Sequence, residues 1–247
     1  MKAMRLALLG AGGRMGQAIS HAAEARPEFA ICARVERGGS IAQAIAESDV
    51  ALDFSHADAT EEACTAAVQH RKPLVIGTTG QSPAQLAIIR EAAASNPIVL
   101  AANFSVGVNA LFWLTRRATL LLGEGFDVEI IETHHRLKKD APSGTAKQLA
   151  RLLCATRHLD LDRDLVHGRE GMTGERPDKQ IGMHAIRAGD VVGEHAVLFA
   201  GAGERLELTH KASSRETFAV GALRAAAWVI EQPAGLYSME DVLGLPE

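Results

Sequence analysis

The fold of this 247-residue chain is decided by the stretch from Arg5 to Gly16, which reads RLALLGAGGRMG. Its first part, Arg5–Leu9, is almost entirely apolar and has the length of a buried strand in a parallel sheet. Glycines follow at once, and Met15–Ala25 is rich in alanine, which favours a helix. A strand, a glycine turn and a helix start in this order can bind phosphate, because the backbone approaches closely and the helix dipole attracts an anion.

The predicted phosphate-binding turn contains Gly10, Gly13 and Gly16, and this G-x-x-G-x-x-G spacing differs from the strict G-x-G-x-x-G fingerprint. A glycine cluster alone is equally compatible with an ordinary turn. The second apolar run, Phe29–Val35, is followed by Glu36, and an acidic residue at this position binds ribose hydroxyls in dinucleotide-binding folds. The order of these features predicts a nicotinamide dinucleotide site, with turn contacts from Gly10, Ala11, Gly12, Gly13, Arg14 and Met15.

The predicted cofactor preference depends on the neighbours Glu36 and Arg37. An acidic residue alone favours NAD, whereas an arginine favours NADP because it pairs with the 2′-phosphate. Both residues together predict a site that accepts either NADH or NADPH. Arg37 is also compatible with a solvated loop charge that contacts no ligand.

The first part of the chain alternates strands and helices, with a period of roughly 20–25 residues through position 102. This alternation predicts an α/β fold, a Rossmann-like doubly wound parallel sheet with right-handed crossovers. Ligands bind such sheets at the carboxyl ends of the strands. The segments expected to line one crevice are Gly10–Arg14, Glu36–Arg37, Gly77–Thr79 and Asn103–Phe104.

The pattern changes after residue 105, where a long apolar helix, Val108–Leu122, precedes several strand-like stretches. Gly189-Asp190 and Gly201-Ala202-Gly203 are typical of hairpin turns, so we expect a second α+β domain with a mostly antiparallel sheet. The polar segment Arg157–Lys179 is expected to be a mobile loop. The predicted organisation is a dinucleotide-binding domain, 1–104 and 215–247, and a substrate-binding and oligomerisation domain, 105–214.

Composition argues against several classes of protein. The net charge of −4 gives no basic field for nucleic acid, and 4% aromatic residues are few for base stacking. Three cysteines match no zinc spacing, and no metal site is expected. The apolar run at the start is too short for a secretory signal, and Arg116 and Arg117 interrupt the longest apolar helix. We therefore expect a cytoplasmic protein without a membrane partner.

The most informative stretch is Glu132–Ala146, ETHHRLKKDAPSGTA, in which five of six consecutive residues from His134 are or can become cationic. Adjacent histidines on extended backbone point to opposite sides, so they make a poor pair for one metal ion. Histidine transfers protons near neutral pH, and a lysine among other cations releases its proton more readily. Ser143-Gly144-Thr145 opens a helix whose N–H groups can bind a carboxylate. A basic surface loop with an ordinary N-cap explains these residues equally well.

With these motifs in order, the chain resembles the 4-hydroxy-tetrahydrodipicolinate reductase family, formerly dihydrodipicolinate reductase, over nearly its whole length. The connection Ser40–Asp53 is shorter than the usual loop of that family, which leaves the cofactor preference open. Besides the glycine turn and the histidine–lysine block, the matching segments are Glu36-Arg37, Gly77-Thr78-Thr79-Gly80, Ala101-Ala102-Asn103-Phe104-Ser105, and His210–Arg215 with Phe218-Ala219.

The resemblance implies reduction of a small cyclic imino dicarboxylate with loss of water, in the diaminopimelate route to lysine, by a homotetramer. It implies that His134 is the acid/base residue and that Lys138 is the proton donor. The substrate-binding residues would be His135, Ser143, Gly144 and Thr145. The cofactor contacts beyond the turn would be Glu36, Arg37, Gly77, Thr78, Thr79, Ala101, Ala102, Asn103 and Phe104.

Two other functions account for part of the pattern. Another two-domain dehydrogenase of amino-acid metabolism, acting on aspartate or homoserine, would share the glycine turn but not the histidine–lysine block. A redox sensor that binds NAD(P) without turnover would need neither His134 nor Lys138.

Overall fold

The computed structural model describes residues 3–246, which fold into two compact units. The first unit runs to Val106 and takes up the chain again from Arg215, whereas the second comprises Gly107–Ser214. The strands are β1 (Met4–Leu9), β2 (Phe29–Val35), β3 (Val50–Asp53), β4 (Leu74–Ile76), β5 (Pro97–Leu100), β6 (Asp127–His134), β7 (Leu165–His167), β8 (Ile181–Arg187), β9 (Gly193–Gly201), β10 (Glu204–Ala212) and β11 (Gly235–Tyr237). The α-helices are α1 (Arg14–Glu24), α2 (Ile41–Glu47), α3 (Thr60–His70), α4 (Pro83–Ala93), α5 (Val106–Leu122), α6 (Gly144–Arg157), α7 (Leu161–Asp164), α8 (Glu216–Val229) and α9 (Met239–Leu243).

The first unit is built on a six-stranded sheet in the order β11-β5-β4-β3-β1-β2, and every pairing in it is parallel. Both faces are covered. Leu6 and Leu8 of β1 pack with α1, α8 and α9, whereas Ala7 and Leu9 pack with α2, α3 and α4. This burial on both faces explains the continuous apolar runs of the strands, and it confirms the predicted doubly wound α/β fold.

The carboxyl end of β1 is the point at which the chain changes direction across the sheet. β2 lies on one side of β1 and β3 lies on the other. The helices that follow β1 and β2 therefore lie on opposite faces, which leaves a crevice at this end of the sheet. The glycine turn occupies that position.

The second unit has a five-stranded sheet in the order β10-β9-β6-β8-β7. β6 and β10 pair antiparallel with β9, but β8 pairs parallel with β6 and with β7. The sheet is therefore mixed, which corrects the expectation of a mostly antiparallel sheet. The physical reason is the connection from β6 to β8, which includes α6 and is long enough for the crossover that parallel strands need. One face of the sheet packs against α5 and α6.

Only one of the two predicted hairpins forms. Gly201-Ala202-Gly203 does connect the antiparallel strands β9 and β10. Gly189-Asp190 does not form a hairpin, because β6 lies between β8 and β9. The connection passes the end of β6 instead, where the Gly189 carbonyl accepts a hydrogen bond from the N–H of Arg136 at 3.1 Å. The segment predicted as a mobile loop, 157–179, contains α7 and β7, and the sequence analysis missed β11 and α9.

Candidate functional site

The glycine turn after β1 has its shape because side chains are absent. Gly10 has φ +79°, and a Cβ there would lie 2.4 Å from the Phe54 carbonyl oxygen. A Cβ at Gly16 would lie 2.3 Å from the Gly10 carbonyl oxygen. No residue other than glycine fits these two places without movement of the backbone, so the shifted spacing follows from the path of the turn.

The first turn of α1 directly follows the glycine turn. Gly13 is its N-cap and carries no side chain that could bond the first N–H groups, and the first turn contains no acidic residue. Gly12, Gly13 and Arg14 are exposed, whereas Ala11 is buried and Met15 is half-buried. A helix start of this kind fits a phosphate group, because the N–H groups have no capping side chain and the dipole favours an anion.

Glu36 and Arg37 lie next to this turn, directly after β2, and both are exposed. The Glu36 carboxylate lies over Gly12, since a Cβ at Gly12 would be 2.7 Å from Glu36 Oε1. Both residues line a cavity of about 600 Å³ at the carboxyl end of the sheet. Gly10 and Gly13 line the same cavity, so the structure brings these four predicted cofactor residues together.

The sequence analysis missed the other wall of this cavity, which follows β3. Phe54, Ser55, His56, Asp58 and Glu62 all line it. A signal was present in the sequence, since these residues follow a predicted strand of the same parallel sheet.

Phe54 and Phe104 follow β3 and β5, and their rings pack against each other. Their ring centroids are 5.3 Å apart, and a Cβ at Gly77 would lie 2.1 Å from Phe54 Cε1. Phe104 is buried, Ala101 and Asn103 are half-buried, and Ala102 is exposed. The Phe104 ring is therefore a core side chain, and the accessible parts of this segment are the residues before it.

Asp53 fixes the loop that contains Thr78 and Thr79. Its buried carboxylate accepts hydrogen bonds from Thr78 Oγ1 at 2.9 Å and from the Ser55 N–H at 3.0 Å. Burial raises the pKa of this carboxyl group. The Thr78 side chain thus turns inward, and Thr79 is the threonine that faces solvent.

In the second unit, the predicted acid/base residue His134 is the last residue of β6 and bonds through Nδ1 to Glu132. Glu132 is fully buried. Arg187 of β8 binds both oxygens of Glu132, at 2.8 and 2.9 Å, and the Ser143 N–H donates to Glu132 at 3.0 Å. One carboxylate thus connects the predicted acid/base residue to the start of α6.

A second histidine, His195 of β9, packs edge-on against His134 with ring centroids 5.2 Å apart. Its Nε2 lies 2.8 Å from Ser143 Oγ, and burial, followed by the charge of His134, lowers the pKa of His195 to about 4. Burial also lowers the pKa of His134, although Glu132 opposes the change. His195 is therefore neutral at pH 7. The sequence analysis did not identify Glu132, Arg187 or His195 as site residues.

Lys138 lies on the turn after β6, where its N–H bonds to the His135 carbonyl at 3.1 Å. Its Nζ contacts both oxygens of Asp140, at 2.8 and 3.0 Å. The sequence predicts only cationic neighbours for Lys138, and the structure adds a carboxylate. Lys138 is mostly buried, with 21% of its side chain exposed, whereas Asp140 is 60% exposed.

The predicted substrate-binding residues surround the start of α6. Ser143 is buried and caps the helix through its Oγ, which accepts from the Ala146 N–H at 3.2 Å. Gly144 is exposed, with no heavy atom within 4 Å of the position that a Cβ would take. Thr145 and His135 are half-buried. The helix start has open space beside it, as a bound carboxylate would require.

Residues 3–246 contain no cluster of three or more histidine, cysteine, aspartate or glutamate side chains able to hold a metal ion. In the same range, no helix combines the length and the apolar character that a membrane span needs.

Comparisons with known proteins place both units in one family. The family model described as "Dihydrodipicolinate reductase, N-terminus" matches residues 4–104, and "Dihydrodipicolinate reductase, C-terminus" matches residues 107–243. A 4-hydroxy-tetrahydrodipicolinate reductase of Akkermansia muciniphila is 54% identical, covering 96% of this chain and 97% of that protein. One of Halorhodospira halophila is 44% identical, covering 97% and 98%.

Solved structures agree with this placement. A dipicolinate-bound dihydrodipicolinate reductase from Paenisporosarcina sp. TG-14 superposes with a TM-score of 0.80 and 26% identity, over 96% of this chain and 97% of that one. A diaminopimelate dehydrogenase of C. glutamicum has a TM-score of 0.59 at 13% identity, over 100% and 97%, and shares the fold alone. The chain belongs to the 4-hydroxy-tetrahydrodipicolinate reductase family, formerly dihydrodipicolinate reductase.

Proposed function

We propose that this protein reduces 4-hydroxy-tetrahydrodipicolinate to tetrahydrodipicolinate, with loss of water, in the diaminopimelate route to lysine. The observation that carries the proposal is the arrangement around Glu132. This buried carboxylate binds both His134, a group able to transfer a proton, and Ser143, the cap of a helix start with open space beside it. A reductase of a cyclic imino dicarboxylate needs both elements, a proton source and a carboxylate-binding backbone.

The cofactor is NADH or NADPH, and the first unit binds it. Gly10–Met15 would hold its pyrophosphate at the start of α1, and Glu36 and Arg37 would bind the ribose of the adenosine. The loops Gly77–Thr79 and Ala101–Phe104 extend the site along the strand ends. When bound, the reduced nicotinamide supplies a hydride to the substrate ring.

The second unit binds and protonates the substrate. His135, Gly144 and Thr145 hold its carboxylates, and Ser143 fixes the helix start that presents them. Loss of the 4-hydroxyl group as water leaves a conjugated imine, and hydride addition at ring carbon 4 places negative charge on it. Lys138 donates the single proton that neutralises this charge, and His134 is the acid/base residue beside it. The ammonium group of Lys138 suits this step, because its charge stabilises the negative charge that develops before the proton arrives.

The protein is proposed to act in the cytoplasm as a homotetramer. Support for assembly comes from the sheet of the second unit, where β10 is an edge strand and Ile186 and Leu206 are exposed. Edge strands in stable proteins are usually paired or covered.

The direct test is loss of NADPH or NADH absorbance on addition of freshly prepared substrate. Turnover with this substrate, and none with aspartate semialdehyde, is the expected result. Turnover with aspartate semialdehyde would point to another amino-acid dehydrogenase. Tight NADPH binding without any turnover would point to a redox sensor.

A further inference from the structure

Glu132 is the only fully buried acidic side chain among the described residues of the second unit, and it has more partners than a simple ion pair would have. It receives two hydrogen bonds from Arg187, one from the Ser143 N–H and one from His134 Nδ1. These partners come from β8, from the start of α6 and from the end of β6. The three segments therefore meet at one carboxylate.

We propose that Glu132 is the positioning residue of the reaction, because it holds His134 with its proton on Nδ1 and fixes the α6 start through Ser143. This inference rests on the proposed function for its catalytic meaning. Glu132 does not contact the substrate in this proposal, because its side chain is fully buried. Its effect on the reaction passes through His134 and Ser143.

The hydrogen-bond inventory supports this tautomer. An ionised carboxylate can only accept, so the ring nitrogen that faces Glu132 must donate. In a neutral imidazole the other nitrogen, Nε2, is then the acceptor. The described residues give Nε2 no hydrogen-bond partner, and a Cβ at Gly193 would lie 3.0 Å from it. Glycine at position 193 thus keeps space beside the nitrogen that would exchange the proton.

Glu132 also affects the pKa of His134. The groups that act on the ring are Glu132 on β6, Lys138 on the following turn, Arg187 on β8 and His195 on β9. Glu132 is the only acid of the four. Burial lowers the pKa of His134 and both cations lower it further, whereas Glu132 raises it. Loss of Glu132 would therefore lower the pKa of His134 further.

A purely structural role is the alternative, in which the Glu132–Arg187 pair only joins β6 to β8. The two roles predict different signs for the pKa of His134. Under the structural role, removal of either partner disturbs the site in the same way. Under the positioning role, Glu132→Gln lowers the pKa of His134, whereas Arg187→Gln raises it, because the two charges act on the ring in opposite directions.

The first measurement is made on the unsubstituted protein. Protein labelled with ¹⁵N-histidine is titrated by NMR, and the His134 resonance is assigned from its loss in His134→Gln. The proton of the neutral ring is expected on Nδ1. A proton on Nε2 would overturn the proposal. Because this experiment needs neither substrate nor turnover, a protein that proves inactive would count against the proposed function and not against this assignment.

The second measurement compares the variants. Opposite shifts of the His134 pKa in Glu132→Gln and Arg187→Gln support the proposal, whereas equal shifts in one direction contradict it. In kinetics, Glu132→Gln is expected to lower kcat more than it raises KM, by no more than the roughly 10²–10⁴-fold that loss of a general acid costs. Glu132→Asp, which keeps the charge, should recover part of kcat. Should neither Gln variant fold, the tautomer in the unsubstituted protein decides the question.

Discussion

The cofactor crevice of the first unit is shaped mainly by side chains that are absent, whereas the proposed proton-transfer site of the second unit is held by charged side chains that are buried. Gly10 and Gly16 allow backbone atoms to approach where any Cβ would collide. Glu132 and Arg187 instead hold two strands and a helix start together by hydrogen bonds between charged groups. The cofactor crevice depends on steric space, whereas the proposed proton-transfer site depends on the balance of charge. Different substitutions should therefore damage the two sites.

The largest effect is expected from Lys138→Ala, in the proposed proton-transfer site of the second unit. Loss of the proposed proton donor should lower kcat by roughly 10²–10⁴-fold, because a general acid contributes about that factor. Binding of NADH and NADPH should not change, since the proposed cofactor residues lie in the first unit. Steady-state kinetics and fluorescence titration measure the two quantities. The matched control is Lys139→Ala, which removes the same charge from the exposed neighbour. A Lys138→Ala protein with full turnover would remove Lys138 from the mechanism.

Gly10→Ala should cause the next largest effect, and it acts by steric conflict. The variant combines a left-handed backbone with a Cβ 2.4 Å from a carbonyl oxygen, so we expect a loss of roughly 2–5 kcal/mol of stability and loss of NADH binding. Gly80→Ala is the control, because Gly80 has φ +90° but open space around its Cβ position. Urea denaturation of both variants separates the cost of conformation from that of collision. Equal losses would show that the contact with Phe54 is unimportant.

The balance of charge in the second unit predicts a pH dependence of stability. His195 has a pKa of about 4 when folded, below the 6.5 of an exposed histidine, so the unfolded chain binds its proton first as the pH falls. Stability should therefore decrease between pH 6.5 and pH 4, by about 3 kcal/mol at most. His195→Gln should flatten this part of the curve, as urea midpoints across the range would measure. An unchanged slope in the variant would assign the loss to other groups.

The smallest effect is expected from Arg37→Ala at the rim of the crevice. It should weaken NADPH binding by roughly fivefold more than NADH binding, because an exposed ion pair with the 2′-phosphate contributes about 1 kcal/mol. Fluorescence titration with both cofactors measures the difference. Arg34→Ala is the control, since Arg34 is exposed on β2 outside the cavity lining. Equal losses for the two cofactors would contradict a phosphate-binding role for Arg37.

The comparison also explains which parts could be predicted from the sequence. The glycine turn, Glu36 and the helix start lie close together in the chain, and their spacing carries the signal of the fold. Burial on both sides of the sheet produced the apolar runs that revealed the strands of the first unit. The family resemblance supplied the roles of His134 and Lys138, which local pattern alone left undecided.

What the sequence could not predict depends on contacts between distant residues. Arg187 lies 55 residues from Glu132, and His195 lies 52 residues from Ser143. No periodic pattern in the sequence predicts such pairs. The same limit explains the mistaken hairpin at Gly189-Asp190, because the insertion of β6 between β8 and β9 is a property of the whole sheet.

The position of β6 within that sheet affects the two proposed proton-transfer residues differently. β6 is hydrogen-bonded to β8 on one side and to β9 on the other, and His134 is its last residue. The pairing with β9 ends at Thr133, but release of His134 would still have to break its pairing with Arg187 of β8 and its hydrogen bond to buried Glu132. Lys138, on the turn beyond the strand, can move at much lower cost. The proposed site thus combines an acid/base residue at the end of a paired strand with a proton donor on a turn, within a separation of only four residues along the chain.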